Sequence, residues 1–322
     1  MAPTDQGSTG SVFTTPAPVE DEGQPNNTVP IVHTENRYFK RQLNRKYWVY
    51  YEMIVDGLFR YDSEIGTITA ANYDEVKEII TAVRYDYPEL FWFTGGLSYT
   101  YRENGYETDF TLKPQYRWSN AEIDQKRQFV ERETQPIIAS LQGKSDYEKV
   151  KGVYEYLVDQ TAYDYDYSGK TLYELFYNHR SVCEGYARAT QYLLNKLGIE
   201  TIYVLGSSYE GESHAWNIVL VDGEYYQVDV TWGDPYSEDG TQTKNFNYLC
   251  LTTEDMARDH ISDWSLYPSC TSKAANYYIQ EGFYLDFYDT DLISYWFSTM
   301  TNTGDTLMFK CAAQSFDGSA QE

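Results

Sequence analysis

Arg180-Ser181-Val182-Cys183-Glu184-Gly185-Tyr186-Ala187-Arg188 is the stretch on which the reading of the chain turns. Polar, loop-like residues precede the cysteine. After it, Ala187, Thr190, Leu193, Leu194 and Leu197 recur at helical spacing, and Gly198 closes the pattern. The spacing predicts a helix that begins at Cys183. Unpaired N–H groups and the positive dipole end of a helix stabilise a thiolate at that position. A cysteine at a helix start is weak grounds for chemistry by itself, because most cysteines are small buried hydrophobes.

A second stretch supplies partners. Ile218-Val219-Leu220-Val221 and Glu224-Tyr225-Tyr226-Gln227-Val228 flank Asp222-Gly223, which reads as a two-residue hairpin turn. That turn sets Val221 opposite Glu224, Ala215 opposite Val230 and Trp216 opposite Asp229. Same-face neighbours repeat every second residue, so His214 shares a face with Trp216 and lies diagonal to Asp229. The register therefore predicts a His214–Asp229 contact, and a one-residue slip would abolish it. A half-buried aspartate wants a partner, and a histidine oriented by it can serve a nearby thiol. His179 reads as a loop residue, His260 as structural, and His33 as a solvated residue of the N-terminal tail.

Carrying Ser181-Val182-Cys183-Glu184-Gly185-Tyr186-Ala187, then His214-Ala215-Trp216-Asn217, then Val228-Asp229-Val230-Thr231-Trp232, the chain resembles the transglutaminase-like superfamily, its bacterial exported members in particular. The resemblance covers roughly residues 145–262. It implies a papain-like α+β core, with the cysteine helix packed on an antiparallel sheet that carries the histidine and the aspartate. It also implies roles: Cys183 as nucleophile, His214 as general base and acid, Asp229 as its orienter. Arg180 stands where members often have a small or Lys-type residue, a departure at the cleft rim that leaves the triad intact. The expected activity is acyl transfer or amide hydrolysis through a thioester, on protein or peptidoglycan peptides. A secreted cysteine peptidase is the alternative. A catalytically idle surface module that holds glycan or peptide is the reading from another class. The backbone N–H of Cys183 is expected as an oxyanion donor, and Tyr163 is the candidate for a second. Trp216 and Trp232 are expected to flank the cleft, with core packing equally open to both.

The bulk of the sequence agrees with a folded protein that avoids polyanions. At 322 residues the chain can bury a large core, and its apolar fraction of 42% supports one. A net charge of −24 with no Lys/Arg cluster argues against nucleic acid and anionic lipid as partners. Tyrosine, with 34 copies, stacks on sugars as well as in cores, so glycan stays open as a partner. No stretch approaches the roughly 20 apolar residues of a membrane span. Met1-Ala2-Pro3-Thr4-Asp5 lacks the basic region and apolar core of a signal peptide. The start reads as the mature end of an exported protein whose leader has been removed, Met1 being supplied for expression. The expected location is extracellular or at the cell surface.

No cofactor and no metal are expected. There is no CxxC and no Cys/His cluster at zinc spacing, and Asp164 and Asp166 lack the spaced ligands and glycine of a calcium loop. With Cys183 set aside, one disulfide among Cys250, Cys270 and Cys311 is open in an oxidising compartment.

Along the chain, residues 1–36 read as a disordered tail rich in Thr, Pro, Gly and Asp. Residues 37–140 read as an N-terminal α+β domain. It holds a helix opened by Asn72, a hairpin about Asn104-Gly105, and a long helix opened by the capping box Ser119-Asn120-Ala121-Glu122. Residues 141–265 read as the core and 266–322 as an aromatic-rich extension packed on it.

Overall fold

The computed structural model describes residues 8–12, 37–166, 169–234, 244–287, 289–299 and 308–311. Strand β1 (Ser8–Val12) and helices α1 (Tyr38–Gln42) and α2 (Trp48–Arg60) come first. Strand β2 (Ile65–Ala70), helix α3 (Tyr73–Asp86) and the hairpin of β3 (Phe93–Asn104) and β4 (Glu107–Tyr116) follow. These strands form an antiparallel sheet in the order β1-β3-β4-β2. β1 lies inside the stretch whose composition reads as a tail; the rest of that stretch, His33 included, lies outside the described residues. The Asn104-Gly105 signal becomes a tight hairpin in which Asn104 pairs with Glu107. Asn72 opens α3 by accepting from the backbone N–H groups of Asp74 and Glu75. The stripe Val76, Ile79, Ile80 and Val83 is buried, as its 3.6-residue period demands. The helix ends at Asp86, just before Tyr87-Pro88, where the ring of proline disfavours a further helical residue.

Helix α4 (Asn120–Leu141) and helix α5 (Asp146–Gln160) open on capping boxes, Ser119 with Glu122 and Ser145 with Glu148. Pro136 sits within α4 without ending it. Strand β5 (Ala162–Tyr163), helix α6 (Leu172–Asn178), strand β6 (Arg180–Ser181) and helix α7 (Cys183–Lys196) come next. The second sheet contains β7 (Thr201–Ser208), β8 (Ser213–Val221), β9 (Glu224–Val228), β10 (Leu249–Leu251) and β11 (His260–Ile261), with helix α8 (Thr253–Met256) before the last. Its order is β10-β9-β8-β7-β11, antiparallel throughout. The protein is thus α+β.

Helix α7 is the centre of this arrangement. It lies on β7 and β8 and is flanked by α5 and α6. Every residue from Gly185 to Leu194 is buried, so the helix is covered on all sides. One core runs from Tyr47 in the N-terminal part through Leu157 and Leu193 to Ala275. The aromatic C-terminal part joins it: Tyr277 stacks on Phe246 with centroids 4.0 Å apart, and Tyr278 is fully buried. Lys310–Cys311 forms a two-residue strand parallel to Tyr284–Leu285.

Gly185 shows how tightly the start of α7 is held. A Cβ there would stand 1.9 Å from Ser181 Oγ, a buried hydroxyl that itself donates to the Gly169 carbonyl at 3.0 Å. Gly185→Ala is therefore expected to destabilise the protein by about 1–3 kcal/mol, the usual cost of overpacking. A chemical-denaturation midpoint that does not move would show that this corner is looser than the contacts imply.

Candidate active site

Cys183 is the first residue of α7. Val182 before it is extended and offers no side-chain cap, which leaves first-turn N–H groups available to a ligand. The thiol is partly exposed and packs beside Tyr85 against Ala187, Tyr203 and Ala215. All four cysteines carry free thiols.

The hairpin places His214. Asp222 and Gly223 take φ of 50° and 85°, the left-handed pair of a two-residue turn. Val221 faces Glu224, and the register runs unbroken to Asn217 opposite Val228. One step further the ladder ends, and Asp229 bonds through its N–H to the Tyr248 carbonyl at 3.0 Å. Its side chain turns back to His214, where Nε2 and Oδ2 are 2.6 Å apart. The diagonal contact that the turn predicts is present. The Cys183 thiol lies near enough to the His214 ring to help raise its pKa.

Asp229 is fully buried and fully satisfied. Oδ1 accepts from the backbone N–H groups of Thr231 (2.9 Å) and Trp232 (3.2 Å). Oδ2 takes both His214 and Nε2 of His260, the latter at 3.0 Å. Burial alone would raise this carboxyl, but the charge and hydrogen bonds of the two imidazoles hold it well below the usual carboxylate range. For His214, burial opposes protonation; the Asp229 carboxylate, its hydrogen bond and the Cys183 thiol outweigh it and raise the imidazole to about 10. The geometry thus favours an imidazolium beside the sulfur, the partner a thiolate needs.

His260 is the residue that sequence reasoning missed in this site. It reads as structural, and it is fully buried, but it belongs to the same hydrogen-bonded chain. Its Nδ1 faces Asp259 Oδ1 at 2.6 Å, and Asp259 Oδ2 accepts from the Tyr248 hydroxyl at 2.7 Å. β11 brings it in by pairing with the far edge of β7, His260 opposite Ser208. Donor atoms of His214, Asp229 and His260 lie within 4.8 Å of one another, a set that could hold a metal ion by residue type. Both imidazole nitrogens nearest the carboxylate are directed at the same oxygen, Asp229 Oδ2, as hydrogen-bond partners.

The remaining candidates fall in different places. Trp216 is 1% exposed, stacks on His214 at 5.8 Å and donates from Nε1 to Gln227 Oε1 at 2.8 Å. It supports the imidazole from within the core, because residues 260–264 cover it, and offers no surface to a cleft. Trp232 is half-buried and borders both His214 (5.6 Å) and His260 (4.3 Å). Tyr163 pairs with Ser181 in the parallel β5–β6 ladder, two residues before the cysteine. His179 is the left-handed C-cap of α6.

A helix-borne thiol near an imidazole that a buried carboxylate holds is the equipment of a thiol-dependent enzyme. Residues 135–230, which contain Cys183, His214 and Asp229, match the model of the transglutaminase-like superfamily. The chain is similar to kyphoscoliosis peptidase of Mus musculus, 26% identical over 122 residues, 33% of this chain and 18% of the relative. It is similar to kyphoscoliosis peptidase of Homo sapiens at 25% identity over the same shares. The match therefore spans less than a fifth of those relatives' length. Among solved structures it is similar to a TGase, with a TM-score of 0.33, 18% identity and 46% of each chain covered.

Proposed function

We propose that Cys183, His214 and Asp229 act as a catalytic triad in acyl transfer or amide hydrolysis. The observation that carries this is the His214–Asp229 hydrogen bond at 2.6 Å, set beside a partly exposed thiol at the start of α7. The Cys183 thiolate attacks the carbonyl carbon of a carboxamide or peptide bond. The negative charge that develops on oxygen is met by the backbone N–H of Cys183 at the positive end of α7. His214 gives its proton to the departing amine, leaving a thioester on Cys183. Water or a lysine-type amine then attacks the thioester, His214 takes its proton, and the thiolate returns. Asp229 keeps the imidazole oriented throughout.

The substrates of this reading are proteins or cell-wall peptides outside the cell, and residues 37–140 form one wall of the cleft. A peptidase in the strict sense is the second form of the reading, favoured by the name of the curated relatives. No helix among the described residues is long and apolar enough to cross a membrane.

Iodoacetamide tests the reading with internal controls. Burial pushes the Cys270 thiol up to about 12 and Cys250 higher still, so neither competes near neutral pH. With Cys311, the other partly exposed thiol, replaced by serine, Cys183 should be the residue labelled, and His214→Ala should remove that selectivity. Equal labelling of Cys183 with and without His214 would sink the triad. Incubation with Gln-containing peptides, with and without a primary amine, then separates amine gain, ammonia loss and cleavage by mass.

A further inference from the structure

Cations of this acidic chain commonly hold a carboxylate: Arg41 holds Glu200, Arg60 holds Asp62, and Lys151 holds Glu281. A group beside the cysteine helix does not. Arg84 from α3, Arg117 after β4, Lys170 before α6 and Arg188 from α7 converge on one cleft of about 450 Å³, counting the space open to solvent. Glu184 is the acidic residue among its described lining. Among the described residues none of the four cations forms an ion pair. In a chain with 49 acidic and 25 basic side chains, four unpaired cations in one cleft call for an explanation.

The cleft is built around two guanidinium groups. Gly95 has a φ of +82°, and a Cβ there would stand 2.7 Å from Arg84 Cζ, so bare backbone makes the room in which the Arg84 guanidinium lies. Arg188 is buried: its Nη1 donates to the Arg84 carbonyl at 2.6 Å, and its guanidinium lies 3.8 Å over the Tyr203 ring. Burial and the neighbouring Arg188 push Arg84 below its ordinary value. A bound anion would relieve that repulsion.

Two lining residues of the cleft, Glu184 and Arg188, stand on the helix that Cys183 begins. Glu184 follows Cys183 in the chain, Arg188 is one turn further on, and Cys183 packs beside Tyr203, the ring beneath Arg188. We propose that this cleft binds a carboxylate of the substrate and selects acidic peptides, a proposal that rests on the acyl-transfer reading above for what happens at Cys183. The planar fork of arginine matches a carboxylate with two parallel hydrogen bonds. A thiol of that kind works on amides, so the carboxylate belongs to a peptide, as an acidic side chain or as its free C-terminus.

The full chain carrying Cys183→Ala, which has no nucleophile, is immobilised and offered short peptides that each hold one Gln. In one arm both ends are blocked and Glu is exchanged for Gln at each other position in turn. In the other arm the C-terminus is either a free acid or an amide. Acidic members are expected to be retained about tenfold over their neutral counterparts. A fixed Glu position identifies a side chain, and a preference for the free acid identifies the terminus. Lys170→Gln with Arg117→Gln, both exposed positions, should reduce the preference, and adding Arg84→Gln should remove it. Equal retention of acidic and neutral members overturns the proposal, as does a preference that survives all three substitutions. Binding is read here without chemistry. Selective labelling of Cys183 without an acid preference therefore overturns the cleft alone, and an acid preference with an inert Cys183 overturns the acyl-transfer reading alone.

Discussion

Asp229→Asn is expected to slow the alkylation of Cys183 at pH 6 by roughly 100-fold, because the thiol loses the charged imidazole beside it. The cause is geometric. Asp229 meets N–H groups or imidazoles on both oxygens. Asparagine keeps one acceptor and turns a donor toward the other pair, so one side of the residue loses its hydrogen bonds in a fully buried site. His214 loses the charge that raises it, and its NMR titration should move from about 10 toward 6.5. Stability follows with a defined sign. The raised pKa of His214 contributes stability that is fully present below about 6.5 and is lost as pH rises through about 10. The depressed pKa of Asp229 contributes stability present above about 3.9 and lost as pH falls below it. The gap between wild type and variant should therefore be widest between about pH 4 and 6.5, and about 3–5 kcal/mol there. A His214 inflection that stays near 10 in the variant would show that Asp229 does not set the state of the imidazole.

The parts of this site that were legible in the sequence are those fixed by local geometry. A helical period that follows polar, loop-like residues places Cys183 at the start of α7. A two-residue turn fixes strand register, and counting back along both strands puts His214 against Asp229. His260 follows no such local rule. It arrives on a strand of two residues that pairs with an edge of the sheet, and nothing in residues 257–263 says which edge that is. The fate of Trp216 was hidden for the same reason. Period two puts it on the face of His214, but whether that face is open depends on Trp264 and His260, which fold over it from far along the chain. The cationic cleft draws its residues from α3, α6 and α7 and the segments beside them, so no stretch of sequence displays it. Non-local pairing, not weak local propensity, separates what was read from what was not.

His260→Leu is expected to cost about 1–3 kcal/mol of stability, because it strips a partner from Asp229 Oδ2 and another from Asp259 Oδ1 in a buried place. A structural role would end there. The hydrogen-bond chain implies more: with one imidazole gone, Asp229 Oδ2 loses a partner that fixes its position, and the carboxylate is freer to turn away from His214. The His214 inflection should fall but remain above that of Asp229→Asn, and Cys183 alkylation at pH 6 should drop by about tenfold. His260→Gln keeps an N–H donor of similar reach and should restore most of the inflection even where stability is not restored. The two substitutions should also fail to add. In the Asp229→Asn background, His260→Leu has no carboxylate left to act through, so it should leave the His214 inflection where Asp229→Asn put it. If His260→Leu lowers the denaturation midpoint and leaves the His214 inflection at about 10, its place is in the core alone, and the chain of hydrogen bonds stops at Asp229.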